Sequence, residues 1–451
     1  MGRPSDHLPA PPDLPSFRVE SSPEERVTVS VAERHADTGL VRHSVALDEN
    51  RIDADAAKVV RRLERAGFQA YLVGGCVRDL LLGGTPKDYD IATSARPEDV
   101  RAIFRNCRII GRRFRLAHVV FGSKIIEVAT FRRSPQTELE PDDGEGTDDL
   151  LIRSDNVFGD AHEDAIRRDF TINALFYDLD RRQVLDWCGG MEDVARRTIH
   201  TIGEPIVRFR EDPIRILRAL KFAARLDLGI EPDVYDAIVS CREELAKAAR
   251  PRVFEEILRL LRGGAAHRSM WLFWEVGAMA ILLPELAAFL DDDAATAGGG
   301  DRFWRKLDAI DRNTRRQGKA LDDIVLWSTL LAEPLEESIA GSADRSEATA
   351  DFLEPIVDRI AMPRRIADAI RRISAMLPRL AQGRGGRLLK NEVASYAIDV
   401  LEIALESEGK SVDSLTKLRE EAQTFAPEVS ASAGRRMGRF RGGPRQRSPR
   451  S

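Results

Sequence analysis

The sequence predicts an α+β protein in which a head of mixed sheet and helices is followed by a wholly helical remainder. Two patterns carry this. Between residues 53 and 129, short apolar runs of period two alternate with stretches of helical period. Beyond about residue 205 only the helical period is left, over 214–226, 232–246, 253–261, 269–282 and further helices to about 424. A chain of 451 residues, 43% hydrophobic and 32% charged, is long enough for two to four soluble domains with ample core.

Taken in order, residues 1–50 are rich in Pro, Ser and charge and are expected to be extended or disordered. A helix over 53–66 leads into a buried strand, Tyr71-Leu72-Val73. Gly74-Gly75 then forms a turn where backbone can approach a ligand, beside a helix over 77–82. Tyr89-Asp90-Ile91-Ala92 reads as the next strand. A helix over 97–104 and strands at 108–110, 117–121 and 125–129 follow, and alternation places Glu127 on one face with Ile125 and Ala129. Residues 134–150 hold seven acidic and no basic residues and read as a mobile loop, and 291–300 as a surface loop. Residues 434–451 hold seven arginines and no acid and read as a disordered tail able to bind phosphate backbones without sequence preference. The net charge of −5 is therefore the sum of strongly segregated parts. The expected divisions are an N-terminal segment 1–50, a head 51–200, a helical neck 201–265, a helical body 266–427 and a basic tail 428–451.

No apolar run approaches the roughly 20 residues of a membrane span, and no signal peptide is evident, so the expectation is a cytoplasmic protein with no membrane partner. Cys76, Cys107, Cys188 and Cys241 are scattered, which favours reduced core residues over a zinc site or a disulfide framework.

Chemistry concentrates in three blocks. In the first, the helix opening beside Gly74 and Gly75 suits a triphosphate. Asp88 and Asp90, two apart in an extended run, leave the same face and can hold Mg²⁺, which takes few carboxylates plus substrate phosphates. A metal pair there would activate a hydroxyl and steady a leaving pyrophosphate. In the second, Arg167 and Arg168 supply bidentate donors for phosphate oxygens, and Asp169 and Asn173, one helical turn apart, could hold a ribose. In the third, Asp212 reads as an N-cap before Pro213, with Arg215 beside it on one surface. A carboxylate that accepts from an exocyclic amine, next to a guanidinium that donates to a ring nitrogen, matches adenine and cytosine and opposes guanine and uracil. Such a pair selects ATP and CTP without a nucleic-acid template. The plain alternatives are a turn, a polar strand end, and a helix cap with an ion pair.

The combination Gly-Gly-x-Val-Arg-Asp-x-x-Leu-Gly beginning near Gly74, then Asp88-x-Asp90, resembles the polymerase-β-like nucleotidyltransferases, the class of bacterial tRNA CCA-adding enzymes and bacterial poly(A) polymerase. The resemblance implies a polymerase-β-like nucleotidyltransferase head and catalytic roles for Asp88, Asp90 and a further acid, Glu127, in the family-like strand Ile126-Glu127-Val128-Ala129-Thr130-Phe131-Arg132. It implies that Gly74, Gly75 and Arg78 hold phosphates, that Arg168, Asp169 and Asn173 bind the incoming nucleotide and its sugar, and that Asp212 with Arg215 reads the base in the neck. The run from Asp186 to Asp193 corresponds to a family hinge, or is a plain turn, and Arg252 and Glu255 are structural. The segment from Cys107 to Val119 is similar to bacterial poly(A) polymerases, whereas CCA-adding relatives tend to carry a His-Gly-Thr-type strand where this chain has Leu116-Ala117-His118. Arg112, Arg113 and Arg115 there would draw an RNA 3′ end, the basic faces of the later helices would serve body packing and an RNA track, and the arginine tail fits the same family. The implied activity is template-independent addition of AMP from ATP to RNA 3′ ends at a two-metal Mg²⁺ site. CCA addition to tRNA is the alternative. A non-catalytic RNA-binding paralogue is the alternative of another class, and the intact carboxylate pair stands against it.

Overall fold

Among the described residues, nine strands form the sheet on which the first part of the chain is organised. The structure is a computed structural model, described for residues 29–34, 39–111, 115–133, 157–292 and 299–425. In chain order the strands are β1 (Val29–Arg34), β2 (Val41–Val45), β3 (Ala70–Val73), β4 (Asp90–Thr93), β5 (Cys107–Ile110), β6 (Leu116–Phe121), β7 (Lys124–Thr130), β8 (Phe176–Asp178) and β9 (Gln183–Asp186). They lie in the order β1-β2-β9-β8-β3-β4-β7-β6-β5. All neighbours pair antiparallel except β4 and β7, which are parallel. A parallel pair needs a crossover, and the helix α3 (Pro97–Ile103) with strands β5 and β6 supplies it.

The helix α1 (Ala54–Arg65) opens where Asp53 accepts hydrogen bonds from the backbone of Asp55 and Ala56, and it buries Ala56, Ala57, Val59, Val60 and Leu63. Those side chains join Leu72, Val77, Ile91, Ile126 and Val128 in a core on one face of the sheet. The other face carries a smaller cluster that includes Val73, Ala92, Phe131, Phe176 and Leu185, with Tyr71 and Trp187 packed against it. Alternation along β3 sends Leu72 to one core and Val73 to the other. The described part of residues 1–50 is extended, but β1 and β2 are paired into the sheet through β9. Their alternation was hidden by the polar composition around them, and the partner strand lies some 140 residues downstream, beyond any local signal.

Helices α2 (Gly75–Leu81), α4 (Ala161–Ile166) and α5 (Gly190–Arg196) sit among the strands, and α6 (Pro205–Glu211) and α7 (Ile214–Leu226) follow. Contact density divides the chain into two compact units. One runs to Arg215 and adds Asp227–Ser240, where a short parallel pair joins Thr198–Ile199 to Gly229–Ile230. The other comprises Ile216–Leu226 and the residues from Cys241 on, and every element described in it is helical. No helix among the described residues is long and apolar enough to cross a membrane.

Candidate active site

The β-ladder fixes a polar row. Asp90 on β4 is opposite Glu127 on β7, Glu127 is opposite His118 on β6, and His118 is opposite Arg108 on β5. Directly opposed residues share a face, so four strands present a carboxylate, a carboxylate, an imidazole and a guanidinium side by side. This is the face of the smaller cluster, because Ile91 and Val128 point into the larger core. His118 Nε2 lies 3.5 Å from Glu127 Oε2. Burial against the sheet, then the charge of Glu127 and more weakly that of Asp88, pushes the Asp90 carboxyl up to about 6, with Arg168 pulling the other way. Ile125, Glu127 and Ala129 share the more open face of β7, as the alternation predicts.

Asp88 departs from expectation, for it stands in a bend before β4, which begins at Asp90. The pairing of β3 with β4 ends at Val73 opposite Asp90, and beyond Val73 the chain turns away at Gly74, so on that side Asp88 has no strand beside it. Asp88 is exposed, whereas Asp90 reaches solvent as a residue while its carboxyl is crowded by the groups around it.

Gly74 adopts φ 71° and ψ −127°, a conformation only glycine takes without strain, and α2 opens at Gly75, two residues earlier than the apolar pattern predicts. A Cβ on Gly74 would lie 3.0 Å from Arg168 Nη1, so the glycine leaves room for a guanidinium at the turn. Arg78, expected at a phosphate, is buried. Its Nε and Nη2 donate to Asp79 Oδ1 (2.9 and 2.6 Å) and its Nη1 donates to Asn173 Oδ1 (2.5 Å). Asn173 Nδ2 in turn donates to Asp169 Oδ1 (3.0 Å). Two residues 95 apart in sequence thus share a hydrogen bond, and Arg78 orients Asn173 from behind. Asp169 and Asn173 meet as expected, but through a bend and a short 3₁₀ turn, Thr171–Asn173, rather than along an α-helix.

Asp164, on α4, is 2% exposed and holds both arginines of the second block. Its Oδ1 accepts from Arg167 Nε (2.9 Å) and its Oδ2 from Arg168 Nη2 (2.9 Å), while Arg168 Nη1 donates to the carbonyl of Asn173 (3.1 Å). Burial alone would raise the Asp164 carboxyl, yet the charges of Arg168 and Arg167 and their hydrogen bonds hold it below the usual range. Arg168 also lies over the ring of Phe176 at 5.1 Å.

The third block is tied to the second by Arg208, on α6, whose Nη2 donates to the carbonyls of Arg167 (2.8 Å) and Arg168 (2.6 Å). Glu211 Oε2 accepts from Arg208 Nη1 (2.7 Å) and Arg215 Nη1 (3.0 Å). Arg215 Nη1 also donates to the carbonyl of Arg208 (2.9 Å). The guanidinium expected to face Asp212 is therefore held by Glu211, and both of its bonds leave from one nitrogen. Asp212 closes α6, and its carbonyl accepts from the backbone of Arg215 (3.0 Å), so the helix α7 begins one residue later than the cap reading predicts.

Arg115 pairs with Glu98 at the surface, while Arg112, Arg113, the acidic run 134–150 and the basic tail lie outside the described residues. Asp186 Oδ1 accepts from the backbone of Cys188, Gly189 and Gly190, and Oδ2 from Met191, so the Trp-Cys-Gly-Gly segment is a capped turn between β9 and α5. Glu255 bonds Arg259 and Arg262 in the helix Arg250–Arg262.

Sequence reading missed Asp164, Arg208, Glu211 and His118. Asp164 stands three and four residues before its arginines, and Glu211 three after Arg208 and four before Arg215, spacings that could have exposed them. The facing of His118 and Glu127 is a matter of strand register and left no local signal. Among the described residues no three of His, Cys, Asp and Glu are grouped to close a metal shell alone. A crowded anionic corner with few protein ligands fits a hard divalent cation whose remaining ligands are water and substrate phosphate.

A family model described as the Poly A polymerase head domain matches residues 70–200, and one described as a probable RNA and SrmB-binding site of polymerase A matches 227–290. The chain is 37% identical to Poly(A) polymerase I of Salmonella typhimurium, over 92% of this chain and 90% of that one. It is 33% identical to Poly(A) polymerase I of Haemophilus influenzae, over 89% and 91%. The CCA-adding enzyme of Geobacillus stearothermophilus is 40% identical, over 52% of this chain and 55% of its own. Among solved structures, the Bacillus stearothermophilus CCA-adding enzyme in complex with CTP aligns with a TM-score of 0.60 at 29% identity, covering 82% of each chain.

Proposed function

The chain belongs to the poly(A) polymerase family, and from that premise we propose that it adds AMP from ATP to RNA 3′ ends without a template, releasing pyrophosphate. One observation carries the choice between products. Likeness to Poly(A) polymerase I runs through 92% of the chain, whereas likeness to the CCA-adding enzyme of Geobacillus stearothermophilus stops at 52%. The reaction is placed in the cytoplasm, in RNA polyadenylation. The 51–200 portion serves as catalytic head, 201–265 as a base-reading neck and 266–427 as an RNA-binding body.

In this reading the 3′-hydroxyl oxygen attacks the α-phosphorus of ATP, and the bond to the β-phosphate oxygen breaks as pyrophosphate leaves. Asp88 and Asp90 would hold Mg²⁺, with Glu127 beside Asp90 to complete the site or orient the hydroxyl. Bound there, the metal supplies charge neutralisation at the phosphate and acidity to the hydroxyl. Gly74 and Gly75 let the triphosphate approach backbone, and Arg168 is held at that turn by Asp164 with a fixed direction. Asp169, fixed through Asn173 and Arg78, is offered to the ribose. Arg215, clamped through Nη1, keeps its other nitrogens for the adenine edge, with Asp212 for the exocyclic amine. A base of opposite polarity would leave buried polar groups unpaired, at about 1–3 kcal/mol each.

The test is nucleotide choice. Purified protein with Mg²⁺ and ATP should extend an oligoadenylate processively into a homopolymer and should prefer ATP over CTP. Addition of CMP, CMP and AMP to a tRNA lacking its terminus, followed by arrest, would instead establish CCA addition. Extension that persists with Asp88→Ala plus Asp90→Ala would refute the metal assignment.

A further inference from the structure

The helix Arg364–Leu380 buries Ile366, Ala369, Ile370, Ile373, Met376 and Leu380 on one side. Along one flank of that buried face stand Arg365, Arg372 and Arg379, all exposed and seven residues apart. Seven residues fall about 20° short of two turns and rise about 10.5 Å, so the three guanidinium groups form one stripe roughly 21 Å long. At the C-terminal end the chain turns through Gly383 (φ 71°) and Gly386 (φ 48°). A Cβ on Gly385 between them would lie 2.5 Å from Leu389 Cδ1, so any side chain there would displace that leucine. The turn brings Arg384 and Arg387 beside Arg379, around a pocket of about 360 Å³ completed by Gly385, Gly386 and Leu388.

The partners of these arginines set them apart. Among the described residues none of Arg365, Arg372, Arg379, Arg384 and Arg387 makes a side-chain hydrogen bond or lies within 4.0 Å of a carboxylate. Arg371, on the same helix, is engaged by Asp368 (3.7 Å) and Ser346 (2.9 Å). A stripe of uncompensated guanidinium groups ending in a glycine-walled pocket is suited to a chain of phosphates, each able to accept two parallel N–H bonds. The pocket has no aromatic ring and no carboxylate or amide with which to read a base, so recognition there is of backbone rather than sequence.

We propose that Arg365, Arg372, Arg379, Arg384 and Arg387 form a track for the phosphodiester backbone of single-stranded RNA, with the Arg379–Arg384–Arg387 pocket as its tightest phosphate site. The track lies well downstream of residues 227–290, the segment matched by the RNA-binding family model. It deepens the proposed function and rests on RNA being the acceptor.

The test is equilibrium binding of a fluorescein-labelled 20-mer of riboadenylate to the full chain, without ATP, between 50 and 200 mM salt. Each phosphate contact to a single strand contributes about 0.7 to the salt slope, so Arg379→Gln with Arg384→Gln and Arg387→Gln should lower the slope by about 2 and the low-salt affinity about tenfold. The triple Lys variant keeps the charge and should keep the slope, with a smaller loss of affinity because a bidentate fork is replaced by a point charge. Unchanged affinity and slope in the Gln variant would overturn the track. So would an equal loss in the Gln and Lys variants, which would mark a fold defect. Because no nucleotide is added, a wild-type chain that binds the 20-mer through these arginines yet never extends it would refute the proposed activity and leave the track standing.

Discussion

Two sets of arginines in this molecule behave in opposite ways. Around the polar row, Arg78, Arg168, Arg208 and Arg215 are each held by a carboxylate or carbonyl, often by both, so each guanidinium has one direction. Along the helix Arg364–Leu380 and the turn after it, five guanidinium groups are exposed and unengaged among the described residues. Held arginines suit a ligand that must be placed to a fraction of an ångström, since the ordering cost is met in folding. Free ones suit a ligand that must slide, because a backbone recognised without fixed geometry has no preferred register.

The sharpest break of this contrast is chemical. Asp88→Ala with Asp90→Ala should reduce AMP incorporation by on the order of 10³-fold in a primer-extension assay while leaving the 20-mer's affinity within a factor of two. Next, Asp164→Asn strips the partner from two arginines at once. Removing one member of a buried pair costs about 3 kcal/mol, and urea unfolding should show a loss of that order, with activity falling as Arg168 is released. Gly74→Ala should cost about 1–3 kcal/mol through φ and through contact with Arg168, and the KM for ATP should rise with it. Arg215→Lys keeps the charge but loses the fork, and the preference for ATP over GTP should drop roughly tenfold, about 1.4 kcal/mol.

The smallest effect is on pH. Asp164 has a folded pKa below its ordinary 3.8, so its stabilisation is fully present above that value and is lost as pH falls through the folded one. Acid unfolding below pH 4 should therefore be shallower in Asp164→Asn than in the parent. No such term is expected on removing the free arginines, which have no carboxylate to titrate.

How much of this was legible in the sequence follows from distance along the chain. The Gly74-Gly75 turn, the helix capped by Asp53 and the facing of Glu127 are encoded within a few residues, and the structure keeps them. The α+β division follows from periodicity alone. What escaped depends on partners far apart. The bond from Arg78 to Asn173 spans 95 residues, that from Arg208 to the Arg168 carbonyl spans 40, and β2 finds β9 across most of the head. Asp88 lies outside β4, and β3, its neighbour on one side, ends at Val73, a fact about the partner and not about Asp88. The arginine stripe was readable at seven-residue spacing, but only the structure separates arginines that have acids from those that do not.

The hairpin between β6 and β7 turns in two residues, Gly122 and Ser123, with Phe121 opposite Lys124. It works as a gear tooth. One inserted residue taken up as a register shift would set Glu127 opposite Ile91 and Ile126 against Asp90, and two would return Glu127 to its face but opposite Ala92, with Ile125 against Asp90. The two-residue length of this tip, more than the identity of its residues, therefore sets which side chain meets Asp90.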